Sequence, residues 1–186
     1  MATESEPADL GTTAPPFSLR ATDGRTYTLA DVRGAHGVVV AFICNHCPYV
    51  KAALPAMMHD AVALRGLGIG FVGINANDAH AYPEDSYNEM VALADEMELP
   101  FLYLRDETQA VAKAYGAVCT PEFFGFDAVL KLRYRGRLDA SRKGAVPDAR
   151  RELVDAMRDV AQTGVVKGEQ FPALGCSIKW RGTVHP

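Results

Sequence analysis

Apolar and polar positions along the chain alternate between a period typical of strands and one typical of helices. The run over 37–43 is β-branched and uncharged, which predicts a strand buried on both faces. After it, apolar residues recur at roughly three-and-a-half-residue spacing, which predicts a core-facing helix from about residue 45 to residue 65. A second uncharged run over 69–75 predicts another buried strand. Strand, helix and strand therefore follow one another.

The flanking patterns extend this alternation in both directions. Upstream, 17–21 and 25–28 surround a glycine-bearing turn, which predicts a small hairpin. Downstream, the predicted elements are a helix capped by Ser86, a strand over 101–104, a short helix capped by Asp106, a hairpin of 122–126 and 129–134, and a final helix opened by Pro147. Alternating strands and helices predict an α/β sheet covered by helices on both faces.

Length and composition indicate one ordinary domain. The chain has 186 residues, enough for a sizeable core. Residues 1–16 are small, acidic and proline-bearing, which predicts a flexible N-terminal arm. The domain is expected over 17–164, with a C-terminal tail over 165–186 packed on it. Because the arm lacks the basic start and apolar stretch of a secretory signal, we expect a cytoplasmic protein.

Charge and cysteine content exclude several classes of protein. A net charge of −4 gives no reason to expect nucleic acid or an anionic membrane as a partner. The longest uncharged apolar run, 37–44, is far shorter than the roughly 18 residues of a membrane span. Four cysteines do not make a disulfide scaffold. In a reducing cytosol, the close pair Cys44 and Cys47 therefore indicates catalysis or metal binding.

The segment Cys44-Asn45-His46-Cys47 lies where the first buried strand gives way to the long helix. The free N–H groups and dipole of a helix N-terminus favour a thiolate over a thiol. We expect Cys44 at or near the N-cap as the exposed nucleophile, and Cys47 as the more buried, resolving thiol. The intervening Asn45 and His46 help to set the thiol pKa, and a partly protonated His46 would stabilise the thiolate. Alternatively, His46 points to solvent and changes little.

Two other interpretations of the cysteine pair remain open. The thiols could be buried and inert, although a helix N-terminus activates a thiol rather than hiding it. They could also bind zinc together with His46 and Cys119. The chain has no second closely spaced cysteine pair, so metal binding is the weaker interpretation and we expect no metal. No cofactor is required, because a dithiol carries both electrons of a disulfide exchange.

Further candidate residues lie later in the chain. Thr120 and Pro121 precede a late strand, and Pro121 has no N–H to give to a sheet, so it belongs at a strand beginning or edge. Cys119 could be a third redox thiol, or a strand cysteine that acts as a small apolar residue. Cys176 could resolve a mixed disulfide if the glycine-flanked tail folds back over the site.

A polar group follows the second buried strand. Asn75, Asn77 and Asp78 lie at its carboxyl end, the edge where open α/β sheets bind ligands. They are candidates for lining the cleft. Turn and capping duties are the alternative for such residues.

The order of strand, C-x-x-C, long helix and late Thr120-Pro121 resembles the thioredoxin superfamily. The hairpin of 17–25 is similar to the redoxin branch, which includes peroxiredoxins and alkyl-hydroperoxide-reductase-like, thiol-specific antioxidant proteins. Residues 44–51, 73–78 and 175–180 are similar to a group of bacterial thioredoxin-like, peroxiredoxin-like proteins. The resemblance implies a thioredoxin-like fold, with a central mixed sheet and an N-terminal β-hairpin extension.

The resemblance also implies a thiol–disulfide oxidoreductase. Cys44 matches the attacking cysteine and Cys47 its resolving partner, while Pro121, beside Thr120, matches the cis-proline that receives substrate. Implied partners are protein or small-molecule disulfides and an external thiol reductant. Val38 replaces the buried acid of thioredoxin. Peroxiredoxins place their peroxide-attacking cysteine at the position of Cys47, with Thr or Ser at that of Cys44. A thiol peroxidase acting on peroxides is therefore the alternative, and a metal-binding module a further one.

Overall fold

The computed structural model of the protein describes residues 2–182, which form strands and helices in alternation. The strands are β1 Ala2–Glu4, β2 Ser18–Ala21, β3 Thr26–Thr28, β4 Gly37–Phe42, β5 Ile69–Asn75, β6 Leu102–Arg105, β7 Cys119–Thr120, β8 Glu122–Asp127, β9 Leu132–Gly136 and β10 Leu174–Ser177. The helices are α1 Leu29–Val32, α2 Pro48–Gly66, α3 Tyr87–Glu96, α4 Ala110–Tyr115 and α5 Glu152–Thr163, with a 3₁₀ turn over Pro83–Asp85.

Seven of these strands form the central mixed sheet. One half has the order β3-β2-β6-β5 and the other the order β4-β8-β9. The two halves meet where the Ile43 N–H donates to the Ile74 carbonyl at 3.0 Å. β5 and β6 pair in parallel, whereas β2 with β3 and β4 with β8 pair antiparallel. The predicted α/β class and the predicted N-terminal hairpin are confirmed.

Strand β4 explains why the sheet is covered on both faces. Val39 and Ala41 face a cluster that contains the apolar sides of α2 and α5. Val38, Val40 and Phe42 face a second cluster, to which α1 and α4 contribute. Each fully buried valine or phenylalanine of this kind stabilises the fold by about 1.5–3 kcal/mol. The uncharged run is apolar at every position because both sets of side chains are buried.

Three helices begin later than the sequence predicts, one of which is α4, whose N-cap is Gln109 and not Asp106. Helix α2 begins at Pro48, with Cys47 as its N-cap. Proline is favoured at the first helical position because its missing N–H has no partner there in any case. Helix α5 begins at Glu152 and not near Pro147, because the Ala149 N–H donates to the Val146 carbonyl and closes a turn before the helix. No helix among residues 2–182 has the length and apolar character needed to cross a bilayer.

The two ends of the chain meet in a second, three-stranded sheet of order β1-β10-β7. Residues 2–4 pair antiparallel with 174–176, so part of the segment predicted as a flexible arm is a strand. The Ser5 N–H continues this contact by donating to the Ala173 carbonyl at 2.9 Å. On its other edge β10 pairs antiparallel with β7. The C-terminal segment thereby reaches the strand that precedes Pro121.

Candidate active site

Cys44 and Cys47 lie on the short turn between β4 and α2, and both contact Thr120. The Cys44 sulfur lies 3.2 Å from the Thr120 hydroxyl oxygen. The Cys47 thiol donates a hydrogen bond to the Thr120 carbonyl oxygen at 3.2 Å. All four cysteines, including Cys119 and Cys176, are free thiols. Thr120, Cys44 and Cys47 therefore come together as the sequence predicts.

The positions of the two thiols relative to the helix differ from the prediction. Cys47 is the N-cap, whereas Cys44 lies on the turn before the helix. Cys44 is 1% exposed and Cys47 is 0% exposed, so the expectation of an exposed Cys44 sulfur is wrong. Pro48 sets the start of the helix, and the backbone N–H of Asn45 is held outside it by Asp85 at 2.7 Å. The helix N-terminus consequently acts on Cys47.

The pKa values of the two thiols shift in opposite directions. The pKa of Cys47 is lowered to about 5, first by the hydrogen bond with the Cys44 thiol and then, against the cost of burial, by the Cys176 thiol and the Val50 backbone N–H. The pKa of Cys44 is raised well above its ordinary value by burial, by the neighbouring Cys47 and by the negative charge of Asp85. These shifts favour Cys47 as the thiol that ionises first, and the assignment of Cys44 as the nucleophile stays a prediction.

Asp85 is a fully buried carboxylate beneath the dithiol turn. Besides the N–H of Asn45, it accepts hydrogen bonds from the side-chain amides of Asn75 at 3.3 Å and Asn77 at 2.8 Å. Its Oδ2 atom lies 2.6 Å from Nδ1 of His46. Burial alone would raise the pKa of Asp85, but the bonds from His46 and Asn77 bring it below the ordinary value. The carboxylate is thus charged at neutral pH.

His46 is half-buried and packs between Asp85 and Tyr82. Its ring stacks on that of Tyr82, with centroids 5.0 Å apart and planes 10° apart. The hydrogen bond with Asp85 raises the pKa of His46, against the effect of burial, and the Cys47 thiolate raises it further. The alternative that His46 points freely into solvent is therefore wrong. Its effect on the thiolate stays a prediction.

Asn45 connects the dithiol turn to Tyr103 on strand β6 by a side-chain hydrogen bond. Its side-chain oxygen accepts from the Tyr103 hydroxyl at 2.9 Å, and that hydroxyl in turn accepts from the Asn75 amide at 3.1 Å. Arg105, at the end of β6, donates to the Asn77 carbonyl at 2.8 Å. Asn75 and Asn77 therefore lie at the site, as their place after β5 suggests, but they support it from beneath.

Three functional residues escaped the sequence-based prediction: Asp85, Tyr103 and Arg105. Asp85 lies in a turn where Ser86 gives the stronger signal, that of a helix cap. Tyr103 belongs to a strand whose apolar character predicts only burial. Arg105 follows it at the same carboxyl edge as Asn75, which is the one signal that could have found it.

The two remaining cysteines occupy neighbouring strands beside the dithiol. Cys176 on β10 lies directly opposite Thr120 on β7, and Cys119 lies opposite Ser177. Cys119 is fully buried, and its pKa is raised by burial and by the Glu122 carboxylate, whose Oε2 atom is 4.0 Å from its sulfur. Cys176 is only partly buried, which makes it the most exposed of the four thiols.

Pro121 forms the other wall of the site. The Thr120–Pro121 peptide bond is cis, as the resemblance implies. Pro121 also borders a cavity of about 220 Å³ beside the first turn of α2, together with Tyr49, Arg137 and Leu174. Pro121 is the predicted site residue that borders this cavity, and neither Cys44 nor Cys47 lines it.

A set of possible metal ligands overlaps the thiol site. Cys44, His46 and Asp85 each offer one ligand atom, and these atoms lie within 4.8 Å of one another. Cys47 and Cys119, which the zinc interpretation included, are not members of this set. The Asp85 oxygens already accept from Asn45 and Asn77 and contact His46, so the set is engaged in hydrogen bonds within the protein.

Known proteins resemble this chain at the level of family and fold. Residues 10–135 match the AhpC/TSA family. An uncharacterized conserved protein from Geobacillus kaustophilus is 44% identical and superposes with a TM-score of 0.93, over 99% of this chain and 98% of that chain. The thioredoxin domain of a thiol-disulfide oxidoreductase from Bacteroides vulgatus is 19% identical, with a TM-score of 0.57 over 73% of this chain and 91% of that chain. This last likeness shows the fold alone.

A curated plant protein matches a shorter part. Chloroplastic peroxiredoxin Q from Oryza sativa subsp. japonica is 28% identical over 106 residues, which are 57% of this chain and 45% of that protein. The chain spans about half the length of the curated relatives it matches. The family match covers well over half of the chain and confirms the redoxin branch, while the structural neighbours confirm the predicted thioredoxin-like fold. The chain belongs to the AhpC/TSA family.

Proposed function

We propose that the protein is a thiol–disulfide oxidoreductase whose working pair is Cys44 and Cys47. The observation that carries this proposal is the unequal environment of two adjacent thiols. Cys47 has a pKa of about 5, whereas the pKa of Cys44 is raised. In this proposal Cys47, the N-cap of α2, gives up the proton that it donates to the Thr120 carbonyl and becomes the thiolate nucleophile, while Cys44 keeps its proton. Membership of the redoxin family supports the same chemistry.

In the proposed reaction the Cys47 thiolate attacks one sulfur of a substrate disulfide. The substrate S–S bond breaks, a mixed disulfide forms at Cys47, and the departing thiolate takes the proton of the Cys44 thiol. The Cys44 thiolate then attacks the Cys47 sulfur and releases the second substrate thiol. The product is a Cys44–Cys47 disulfide, which holds the oxidising equivalents without a cofactor. An external thiol reductant returns it to the dithiol.

Neighbouring residues have supporting roles in this proposal. His46, held against Asp85, places a positive charge near the Cys47 thiolate, and Asn45 fixes the turn. Thr120 and Pro121 dock the substrate. β10 already pairs with β7 at Thr120, and the cavity beside Pro121 measures about 220 Å³. These two features favour small disulfides over extended polypeptides, in a protein that we place in the cytoplasm.

A thiol peroxidase is the second candidate. The observation that favours it is the lowered pKa of Cys47, which occupies the position that the resemblance gives to the peroxide-attacking cysteine of peroxiredoxins. Similarity to peroxiredoxin Q agrees with it. In that reaction the Cys47 thiolate attacks a peroxide oxygen, giving a sulfenic acid and releasing water or an alcohol. Cys44 then condenses with the sulfenic acid to the disulfide, with loss of water.

Turnover of two substrates tests both candidates. Bis(2-hydroxyethyl) disulfide and hydrogen peroxide are each supplied with reduced glutathione, and turnover is compared between the natural protein, Cys47→Ser and Cys44→Ser. We expect disulfide turnover that Cys47→Ser abolishes, while His59→Gln, an exposed change on α2, leaves it unaltered. Full disulfide turnover by Cys47→Ser would overturn the proposal. Faster turnover of peroxide than of disulfide, with a sulfenic acid trapped at Cys47, would establish the second candidate.

A further inference from the structure

Strand β10 approaches the dithiol more closely than most residues would permit. A Cβ atom on Gly175 would lie 2.0 Å from the Thr120 carbonyl oxygen and 2.6 Å from its carbon. Only glycine allows this approach, because real Cβ atoms do not come within 3.0 Å of backbone atoms. The next residue along the strand is Cys176, opposite Thr120. The close approach therefore brings the Cys176 thiol beside Thr120, the residue that both Cys44 and Cys47 contact.

Cys176 lies beside the dithiol. It packs against the apolar cluster that contains Cys44 and Cys47, and its thiol lowers the pKa of Cys47. β1 holds the opposite edge of β10 and so fixes the strand in place. Three thiols consequently lie around Thr120, because Cys44 and Cys47 contact this residue and Cys176 pairs with it.

We propose that Cys176 is a third redox thiol. It exchanges with the Cys44–Cys47 disulfide to form a Cys47–Cys176 disulfide, one sulfur of which is partly exposed at the protein surface. This inference rests on the proposed function. Cys44 and Cys47 are 1% and 0% exposed, so an external reductant meets either dithiol sulfur less readily than that of Cys176. Cys176 is partly exposed and offers the reductant a point of attack.

The exchange is balanced in atoms and electrons. The Cys176 sulfur attacks the Cys47 sulfur of the Cys44–Cys47 disulfide, that S–S bond breaks, and the Cys47–Cys176 bond forms. The proton that leaves Cys176 is taken up by the released Cys44 thiolate. An external thiolate then attacks the Cys176 sulfur and expels Cys47. A second reductant thiol frees Cys176, so that two thiols supply the two electrons.

The direction of attack follows from exposure. Cys176 is partly exposed, whereas Cys47 is 0% exposed, so an external thiolate meets the Cys176 sulfur of the mixed pair first. Attack at that sulfur releases Cys47.

Disulfide mapping with oxidised glutathione tests the relay. Each protein is oxidised, quenched in acid, alkylated and analysed by peptide mass spectrometry. We expect Cys44→Ser to form the Cys47–Cys176 disulfide, and Cys44→Ser/Cys176→Ser to carry glutathione at Cys47 instead. The oxidised natural protein should contain both the 44–47 and the 47–176 disulfides. Ser177→Ala, a change on the same strand that spares every thiol, should give the same two disulfides.

The outcomes separate the relay from the proposed function. If Cys176→Ser forms the 44–47 disulfide but Cys44→Ser retains glutathione at Cys47 with Cys176 free, the relay is wrong and the oxidoreductase stands. If neither the natural protein nor Cys176→Ser forms the 44–47 disulfide, the proposed function itself fails. Should Cys44→Ser not fold, absence of the 47–176 disulfide from the oxidised natural protein overturns the relay.

A rate measurement tests the surface role of Cys176 separately. The oxidised natural protein and oxidised Cys176→Ser are each reduced by glutathione, and free thiols are counted over time. We expect reduction of Cys176→Ser to be at least about tenfold slower, because glutathione must then reach a buried sulfur. Equal rates would show that Cys176 is not the point of entry.

Discussion

The Nδ1 atom of His46 lies 2.6 Å from the Oδ2 atom of Asp85 and ties the dithiol turn to the 3₁₀ turn before α3. The same carboxylate accepts the backbone N–H of Asn45 and the side-chain amide of Asn77. The buried Asp85 carboxylate therefore fixes the backbone next to Cys44 and orients the His46 imidazole. It also places a negative charge near the two thiols. Its negative charge favours ionisation of Cys47 over Cys44, whose pKa it raises.

Replacing Asp85 with asparagine should lower the pKa of His46. The hydrogen bond with the Asp85 carboxylate is the largest influence that raises this pKa, and the neutral amide would supply neither the charge nor the same acceptor. Because a buried charge pair is broken, the free energy of unfolding should fall by about 3 kcal/mol. NMR titration of the His46 ring and urea denaturation measure the two effects.

Asp95→Asn is the matched control for this change. Asp95 is an exposed residue on α3, and its replacement should leave both quantities as they are. An unaltered His46 titration in Asp85→Asn would contradict the role given to the buried carboxylate.

The His46–Asp85 pair should make stability fall as the pH rises above about 6.5. The pKa of His46 is raised in the folded protein above the ordinary value of about 6.5. The stabilisation by protonated His46 is therefore fully present below pH of about 6.5, and is lost as the pH rises through the folded-state pKa. The difference in unfolding free energy between the natural protein and His46→Gln should shrink across that range.

Urea denaturation of both proteins at a series of pH values measures this difference. Comparing the two proteins cancels the titration of the cysteines to a first approximation. His59→Gln, in which an exposed histidine on α2 is replaced, should differ from the natural protein by a constant amount. A difference for His46→Gln that grew with rising pH would have the wrong sign.

The two thiols that donate to Cys47 should lower its pKa unequally. The Cys44 thiol is the larger influence and the Cys176 thiol a smaller one. In Cys44→Ala the pKa of Cys47 should rise furthest above its value of about 5, and in Cys176→Ala it should rise less. The pH dependence of iodoacetamide alkylation at Cys47, followed by peptide mass spectrometry, reports each value.

Ser177→Ala should leave the alkylation profile unchanged, because Ser177 lies on the same strand as Cys176 but has no thiol. A Cys47 pKa near that of free cysteine, about 8.5, in the natural protein would remove the basis for placing the nucleophile there. A larger rise in Cys176→Ala than in Cys44→Ala would reverse the assigned order.

Local sequence patterns were sufficient to predict the central elements. Uncharged apolar runs predict the strands β4 and β5, and a helical apolar spacing predicts α2. All three patterns lie within short stretches of sequence. The contact of Cys44 and Cys47 with Thr120 was predicted from the resemblance. The helix start was placed too early because the apolar pattern does not mark it, whereas Pro48 does.

Long-range contacts account for what the sequence did not predict. Asp85 reaches the dithiol turn from another part of the chain, and no periodicity marks a polar residue that folding will bury beneath a thiol. The pairing of Cys176 with Thr120 depends on sheet register, which is set by β1 and β7 together. The opposite pKa shifts of the two thiols follow from such contacts, since the Cys44 and Cys176 thiols lower the pKa of Cys47 and the charge of Asp85 raises that of Cys44.

Replacing Gly175 with alanine should force β10 away from β7. The added Cβ would lie 2.0 Å from the Thr120 carbonyl oxygen, a backbone atom that cannot move aside cheaply. Overpacking of this kind costs about 1–3 kcal/mol of unfolding free energy, measured by urea denaturation. Displacement of β10 should also slow formation of the 47–176 disulfide in the Cys44→Ser background.

Gly66→Ala, at a position where a Cβ meets nothing within 4 Å, is the matched control and should be neutral or slightly stabilising. Unchanged stability and an unchanged rate in Gly175→Ala would mean that β10 does not depend on this close contact.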